Sequence, residues 1–158
     1  MRLIAFDPGL RVAGIAYFEN RRLKAAGLLR NDVLKEQGPT AWNGMGRAAK
    51  QWVTSRTGSP AVTKLVVEVP QIYRSSPKAW TLIELAGVDG AVSMAITADH
   101  WVGYQPRIWK GQQDKAEHHA TILELLTPDE LEAIEACPAG LRHNVLDAIA
   151  LGMYELGR

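Results

Sequence analysis

A single cysteine, Cys137, stands among 158 residues. A lone thiol excludes an internal disulfide, and its absence suits a reducing, cytoplasmic setting. Cys137 sits beside Pro138 with no second cysteine near it, so a small packed thiol is expected rather than a nucleophile. Long apolar runs are also missing. None approaches the ~20 residues of a membrane span, so no membrane association is expected. The chain enters an apolar strand at once, without the basic and then apolar stretch of a secretory leader. Net charge is scarce as well: 18 Lys and Arg against 17 Asp and Glu leave +1. Bulk charge therefore announces no polyanion, and such a partner has to be met by a local patch. No internal repeat is visible. With 47% hydrophobic residues, the length suits one domain over 1–158 with a proper core.

What is present begins at the first residues. Leu3 to Phe6 is an apolar run that predicts a buried strand. It ends in Asp7, followed by the turn pair Pro8-Gly9. A second apolar run, Val12 to Phe18, predicts the other arm of a hairpin. Burying an unpaired carboxylate costs several kcal/mol, so Asp7 either meets a cation or caps the turn through its own backbone.

Leu23 to Leu29 predicts a third strand, after a turn at Asn20, Arg21 and Arg22. Gly38-Pro39-Thr40 predicts a loop, with Thr40 or Asn43 as helix N-cap. Trp42, Met45, Ala49, Trp52 and Val53 recur at spacings of three and four, an amphipathic helix that ends over Ser55 to Pro60. Leu65-Val66-Val67 has the apolar, β-branched character of a strand covered on both faces, and it ends in Glu68. After a loop over Val69 to Pro77, the longest helical pattern runs from Lys78 to about Ala98. His100 to Tyr104 predicts a short strand, and Pro106 to Lys110 a basic, aromatic connector. Helices follow at about Gln113 to Leu126, from Pro128, and at about Leu141 to Leu156. The acids Glu124, Asp129, Glu130, Glu132 and Glu135 make a solvated face. The expected fold is α/β: an opening three-strand antiparallel meander, then parallel strands, in one mixed sheet flanked by helices.

Two core strands thus deliver carboxylates to their ends, and neighbouring strands lie ~4.8 Å apart. Asp147 interrupts an apolar helical face, with His143 and Asn144 four and three residues before it. Alone, Asp147 reads also as a buried acid paired with an arginine. Three converging acids repel one another. Oxygen-rich sites of that kind suit a hard divalent cation such as Mg²⁺ or Mn²⁺. Two such ions ~4 Å apart stabilise the attacking and leaving oxygens of phosphodiester hydrolysis.

Asp7-Pro8-Gly9 with Arg11 and Gly14, then Val66-Val67-Glu68, then Asn144 with Asp147, Ala148 and Ala150, resemble the RuvC family of Holliday-junction resolvases on the RNase H-like fold. The likeness spans nearly the whole chain. It implies a homodimer that uses two Mg²⁺ ions per site, replaceable by Mn²⁺, to nick two opposed strands of a four-way DNA junction. It implies that Asp7, Glu68 and Asp147 are metal ligands. The family's fourth ligand, an acid or a histidine, falls here on Asn144, with His143 beside it, so either residue is a candidate. The family's base-probing aromatic falls on Gln71, with Tyr73 two residues on. Lys110 and Lys115 fall where the family places basic residues near the scissile phosphate, and Lys115 is a catalytic candidate. Arg11, Arg107, Arg74 and Lys78 extend the expected DNA contacts. The long helix implies a dimer interface built from Trp80, Ile83, Gly87, Gly90 and Ala91.

Three rivals stay open on sequence. One is a RuvC-like nuclease acting on RNA or on simple or otherwise branched DNA. Another is an inactive junction-binding protein, hinted at by the uncharged Asn144. The third is a nucleotide-binding module of the actin and sugar-kinase kind, whose second domain 158 residues cannot hold.

Overall fold

A computed structural model describes residues 1–31, 33, 38–71, 79–111 and 114–158. The opening meander is β1 (Arg2–Asp7), β2 (Val12–Glu19) and β3 (Arg22–Arg30), followed by α1 (Pro39–Thr57) and β4 (Ala61–Glu68). Then come α2 (Ala79–Ala95), β5 (Thr97–Tyr104), the single turn α3 (Pro106–Trp109), α4 (Lys115–Leu125), α5 (Pro128–Glu132) and α6 (Arg142–Glu155). The strands form one sheet in the order β3-β2-β1-β4-β5. β1 pairs antiparallel with β2 and β2 with β3, whereas β1–β4 and β4–β5 are parallel. This is the expected mixed sheet.

The core lies in two layers because strand side chains alternate between faces. Leu3, Ala5, Ala16, Phe18 and Val66 pack under α6. Ile4, Phe6, Ile15, Leu65 and Val67 pack instead with Met45 and Trp52 of α1 and Val88 and Val92 of α2. α6 is buried along Val145 to Met153, and Asp147 lies within that run. No helix among the described residues is long and apolar enough to cross a membrane.

The boundaries differ from the sequence expectation in four places. α1 is capped by Gly38, with Pro39 in its first turn, and not by Thr40 or Asn43. Proline suits that turn because its missing N–H is needless there. α1 also runs on to Thr57 and stops at Gly58, whose φ of 74° closes the helix through an N–H donated to the Thr54 carbonyl. β4 starts at Ala61, four residues before the apolar run. The long helix ends at Ala95, and β5 takes Thr97 onward.

Candidate active site

Phe6 and Val67 are opposite one another in the β1–β4 register, so Asp7 and Glu68 come next, side by side. Phe6 and Val67 both face α1 and α2. Alternation therefore turns Asp7 and Glu68 to the other face, toward α6. There α6 contributes Asp147, held close because Gly14 of β2 admits the helix. A Cβ on Gly14 would lie 1.9 Å from the Asn144 carbonyl oxygen.

The three acids share one electrostatic environment. Burial pushes the Asp7 carboxyl well above the usual carboxylate range, and Glu68 and Asp147 push it further. Among the described residues, Asp7 makes neither a hydrogen bond nor an ion pair, though it is only 7% exposed. Glu68 and Asp147 are bridged by Lys110, whose Nζ lies 3.2 Å from Glu68 Oε2 and 3.3 Å from Asp147 Oδ2. Burial opposes the Lys110 ammonium, but Glu68, Asp147 and Asp7 together outweigh it and raise its pKa. Glu68 still titrates high, because its own burial outweighs the contribution of Lys110. Asp147 is buried as well, yet Lys110, a hydrogen bond from His119 and then Lys115 hold its pKa below the ordinary value.

Local structure aims these cations. The single turn α3 ends at Trp109, a buried residue, and Lys110 follows with its ammonium 4.5 Å from the Trp109 ring centroid. Asp114 caps α4 by accepting from the Ala116 N–H. The helix then presents Lys115, with Nζ 3.6 Å from Asp147 Oδ2, and His119, with Nε2 2.9 Å from Asp147 Oδ1. His119 is absent from the sequence reading. The available signal was its spacing of four from Lys115, which puts both residues on one helical face.

The other expected residues fall at varied places. His143 is half-buried beside the site. Burial and then Lys115 lower its pKa, while Asp147 opposes them. Asn144 is half-buried, and its backbone packs on Gly14. It is therefore His119, rather than either of these, that touches Asp147. Arg11 and Arg107 are exposed near strand ends, and Gln71 is half-buried just past β4. Tyr73, Arg74 and Lys78 lie outside the described residues.

The expected interface set on α2 divides. Trp80, 55% exposed, and Ile83 lie open, and a Cβ on Gly90 would meet nothing within 4 Å. Met94 continues this stripe at 90% exposure. Gly87 and Ala91 turn inward instead. A Cβ on Gly87 would strike the Trp42 ring at 2.3 Å, and Gly46 of α1 sits against the Ala91 carbonyl. Both residues serve the packing of α1 on α2.

The donors suit a hard divalent cation in kind: three carboxylates, one of them buried with no hydrogen bond or ion pair among the described residues. As the side chains stand, no three His, Cys, Asp or Glu among the described residues converge closely enough to hold one ion. Lys110 occupies the position between two of the acids.

No protein-family model and no curated protein matches the sequence. Solved structures do match. RuvC of Thermus thermophilus in complex with a Holliday-junction substrate superposes with a TM-score of 0.67 at 17% identity, over 99% of this chain and 93% of that one. A second Thermus thermophilus RuvC structure gives 0.61 at 17% identity, with the same coverage of both chains. The yeast mitochondrial Holliday junction resolvase gives 0.55 at 11% identity, over 97% of this chain and 76% of that one. With the mixed sheet, the acids at adjacent strand ends and these superpositions together, the chain has the RNase H-like fold of RuvC.

Proposed function

We propose that this protein is a structure-selective endodeoxyribonuclease that resolves four-way DNA junctions by metal-dependent phosphodiester hydrolysis. The observation that carries this is the buried Asp7 beside Glu68 and Asp147, whose charges and burial push its carboxyl well above the usual range, with two lysines at the rim of the same cluster. A buried acid without a partner is unfavourable for folding, and a catalytic cation offsets that cost. Asp7, Glu68 and Asp147 would hold Mg²⁺ or Mn²⁺, with Asn144 or His143, about one helical turn before Asp147, as candidates for a further donor. When bound, such ions supply an activated water and charge stabilisation at the scissile phosphate.

The chain's own residues do the rest. Lys110 and Lys115 offer their ammonium groups to phosphate oxygens, which aligns the backbone without reading sequence. Lys110 is neutralised by two acids while DNA is absent, so it reaches phosphate only on leaving them. Arg11 and Arg107 are exposed and extend the positive rim. The apolar stripe of Trp80, Ile83, Gly90 and Met94 serves a two-fold homodimer. Such a dimer sets two sites against the approximate two-fold axis of a four-way junction.

A labelled four-way junction, incubated with and without Mg²⁺, tests the proposal. The expected outcome is a pair of symmetric nicks that require Mg²⁺. Asp7→Asn is expected to abolish cleavage and retain junction binding, because affinity comes from Lys and Arg contacts to phosphate. Asp7→Asn cutting at the wild-type rate refutes the metal-site assignment. Paired cutting of simple duplex or of RNA in preference to the junction refutes the substrate.

A further inference from the structure

Asp147 has two carboxylate oxygens, and its neighbours divide them. Oδ2 faces inward: Lys110 bridges it to Glu68, and Lys115 lies 3.6 Å away. Oδ1 turns outward to α4, where His119 Nε2 lies 2.9 Å away. No other hydrogen bond or ion pair reaches Oδ1 among the described residues. The terminal torsion of an aspartate is broad and roughly two-fold. The lysines are flexible and leave Oδ2 on engaging phosphate, so they cannot set the carboxylate plane by themselves. The imidazole can. It sits on a capped helix, its side chain is 13% exposed, and its neighbour His118 is buried against Trp109 with ring centroids 5.7 Å apart.

We propose that His119 is a positioning residue: it fixes the plane of the Asp147 carboxylate, one of the three acids assigned above to the divalent cation. This rests on the metal-dependent reading above. A carboxylate accepts and does not donate when ionised, so Nε2 is the donor in its 2.9 Å contact with Oδ1. A nitrogen in that state does not ligate a metal. His119 therefore acts through Asp147 and not as the fourth ligand. Partners of this kind, which hold a ligand's orientation, typically contribute ~10–100-fold to metal affinity.

The test is Mn²⁺ binding without DNA, followed by electron paramagnetic resonance of the free ion and by calorimetry, on wild-type protein, His119→Gln and His119→Met. Glutamine places an amide N–H near the position of Nε2, whereas methionine keeps comparable volume and donates nothing. The expected result is ~10–100-fold weaker Mn²⁺ binding by His119→Met, with His119→Gln restored to within a few-fold of wild type. Melting in metal-free buffer reports folding independently of the ion. A purely structural role would lower the melting temperature and leave the Mn²⁺ affinity of the folded fraction unchanged, which overturns the proposal. Equal affinities for His119→Gln and His119→Met overturn it too. Wild-type protein that binds no Mn²⁺ sinks the metal-dependent reading and this inference together. Wild-type protein that binds Mn²⁺ and cuts junctions while His119→Met binds as tightly sinks this inference alone.

Discussion

Asp89 is a poorly accommodated acid. It lies on the buried side of α2 and is 6% exposed. Neither of its carboxylate oxygens has a hydrogen-bond partner among the described residues. Burial, and then the charge on Glu68, push its pKa from 3.8 up to about 8. The sign of the consequence follows from proton counting. Between those two pH values the folded chain keeps the Asp89 proton while the unfolded chain has released it. The unfolded state then binds fewer protons, so stability falls as pH rises. Each pH unit in that window costs ~1.4 kcal/mol, and by pH 7 the loss reaches ~4 kcal/mol relative to pH 4. Asp89→Asn keeps the shape and removes the titration. The assay is urea unfolding of both proteins from pH 4.5 to 8.5, taken as a difference so that other titrating groups cancel. The two proteins are expected to be nearly equal at the acid end. The variant should gain progressively toward neutrality, and the difference should flatten above pH 8. Parallel profiles, or a variant less stable at pH 7, refute the reasoning and imply that Asp89 has an ionic partner in solution.

Gly14→Ala places a methyl group against the Asn144 carbonyl, backbone on backbone, so α6 has to withdraw from β2. Melting should register ~1–3 kcal/mol of destabilisation, and because Asp147 moves with the helix, cleavage should fall ~100-fold; an unchanged melting temperature and rate would show that α6 is not seated on Gly14. Gly90→Glu adds a charge to open space on the exposed stripe of α2, so the monomer should melt as wild type while sedimentation loses the dimer. A dimer that persists in Gly90→Glu removes this stripe from the interface.

Features governed by local periodicity were legible in the sequence. The alternation of β1 and the apolar run of β4 determine which face Asp7 and Glu68 occupy, and both are local properties. Features set by docking were not. His119 meets Asp147 only because α4 packs beside α6, and no spacing within one helix encodes that approach. On α2, apolar residues lie on nearly every side, so a 3.6-residue period does not tell the outward stripe from the one against α1. Gly87 and Ala91 were therefore grouped with Trp80 and Ile83, although a ring of α1 fills the space above Gly87. The start of β5 was hidden for another reason. Ala98 and Asp99 lack strand character, and pairing of Thr97 and Ala98 with Ala61 and Val62 of β4 recruits the segment. The cap of α1 was less legible because Thr40 and Asn43 are common side-chain caps, whereas the helix starts at Pro39, itself a start marker, with Gly38 as its cap.

The position of Lys110 explains how so acidic a cluster folds at all. Two carboxylates at neighbouring strand ends and a third on a buried helix repel one another most strongly where water is excluded. Lys110 lies within 3.3 Å of two of them, and the extra charges of Lys115 and the His119 hydrogen bond fall on Asp147. Asp147 is consequently the acid whose pKa is lowered, while burial and then the charges of Glu68 and Asp147 raise that of Asp7. The cluster thus combines a carboxylate whose ionised form is favoured by its cationic neighbours, one bridged to an ammonium and one whose neutral form is favoured by burial. Raising the pH favours the ionised form of Asp7. If the cluster holds Mg²⁺ as proposed, affinity for it should climb with pH through the titration of Asp7, whose pKa is raised, and a flat pH profile for metal binding would refute that role for Asp7.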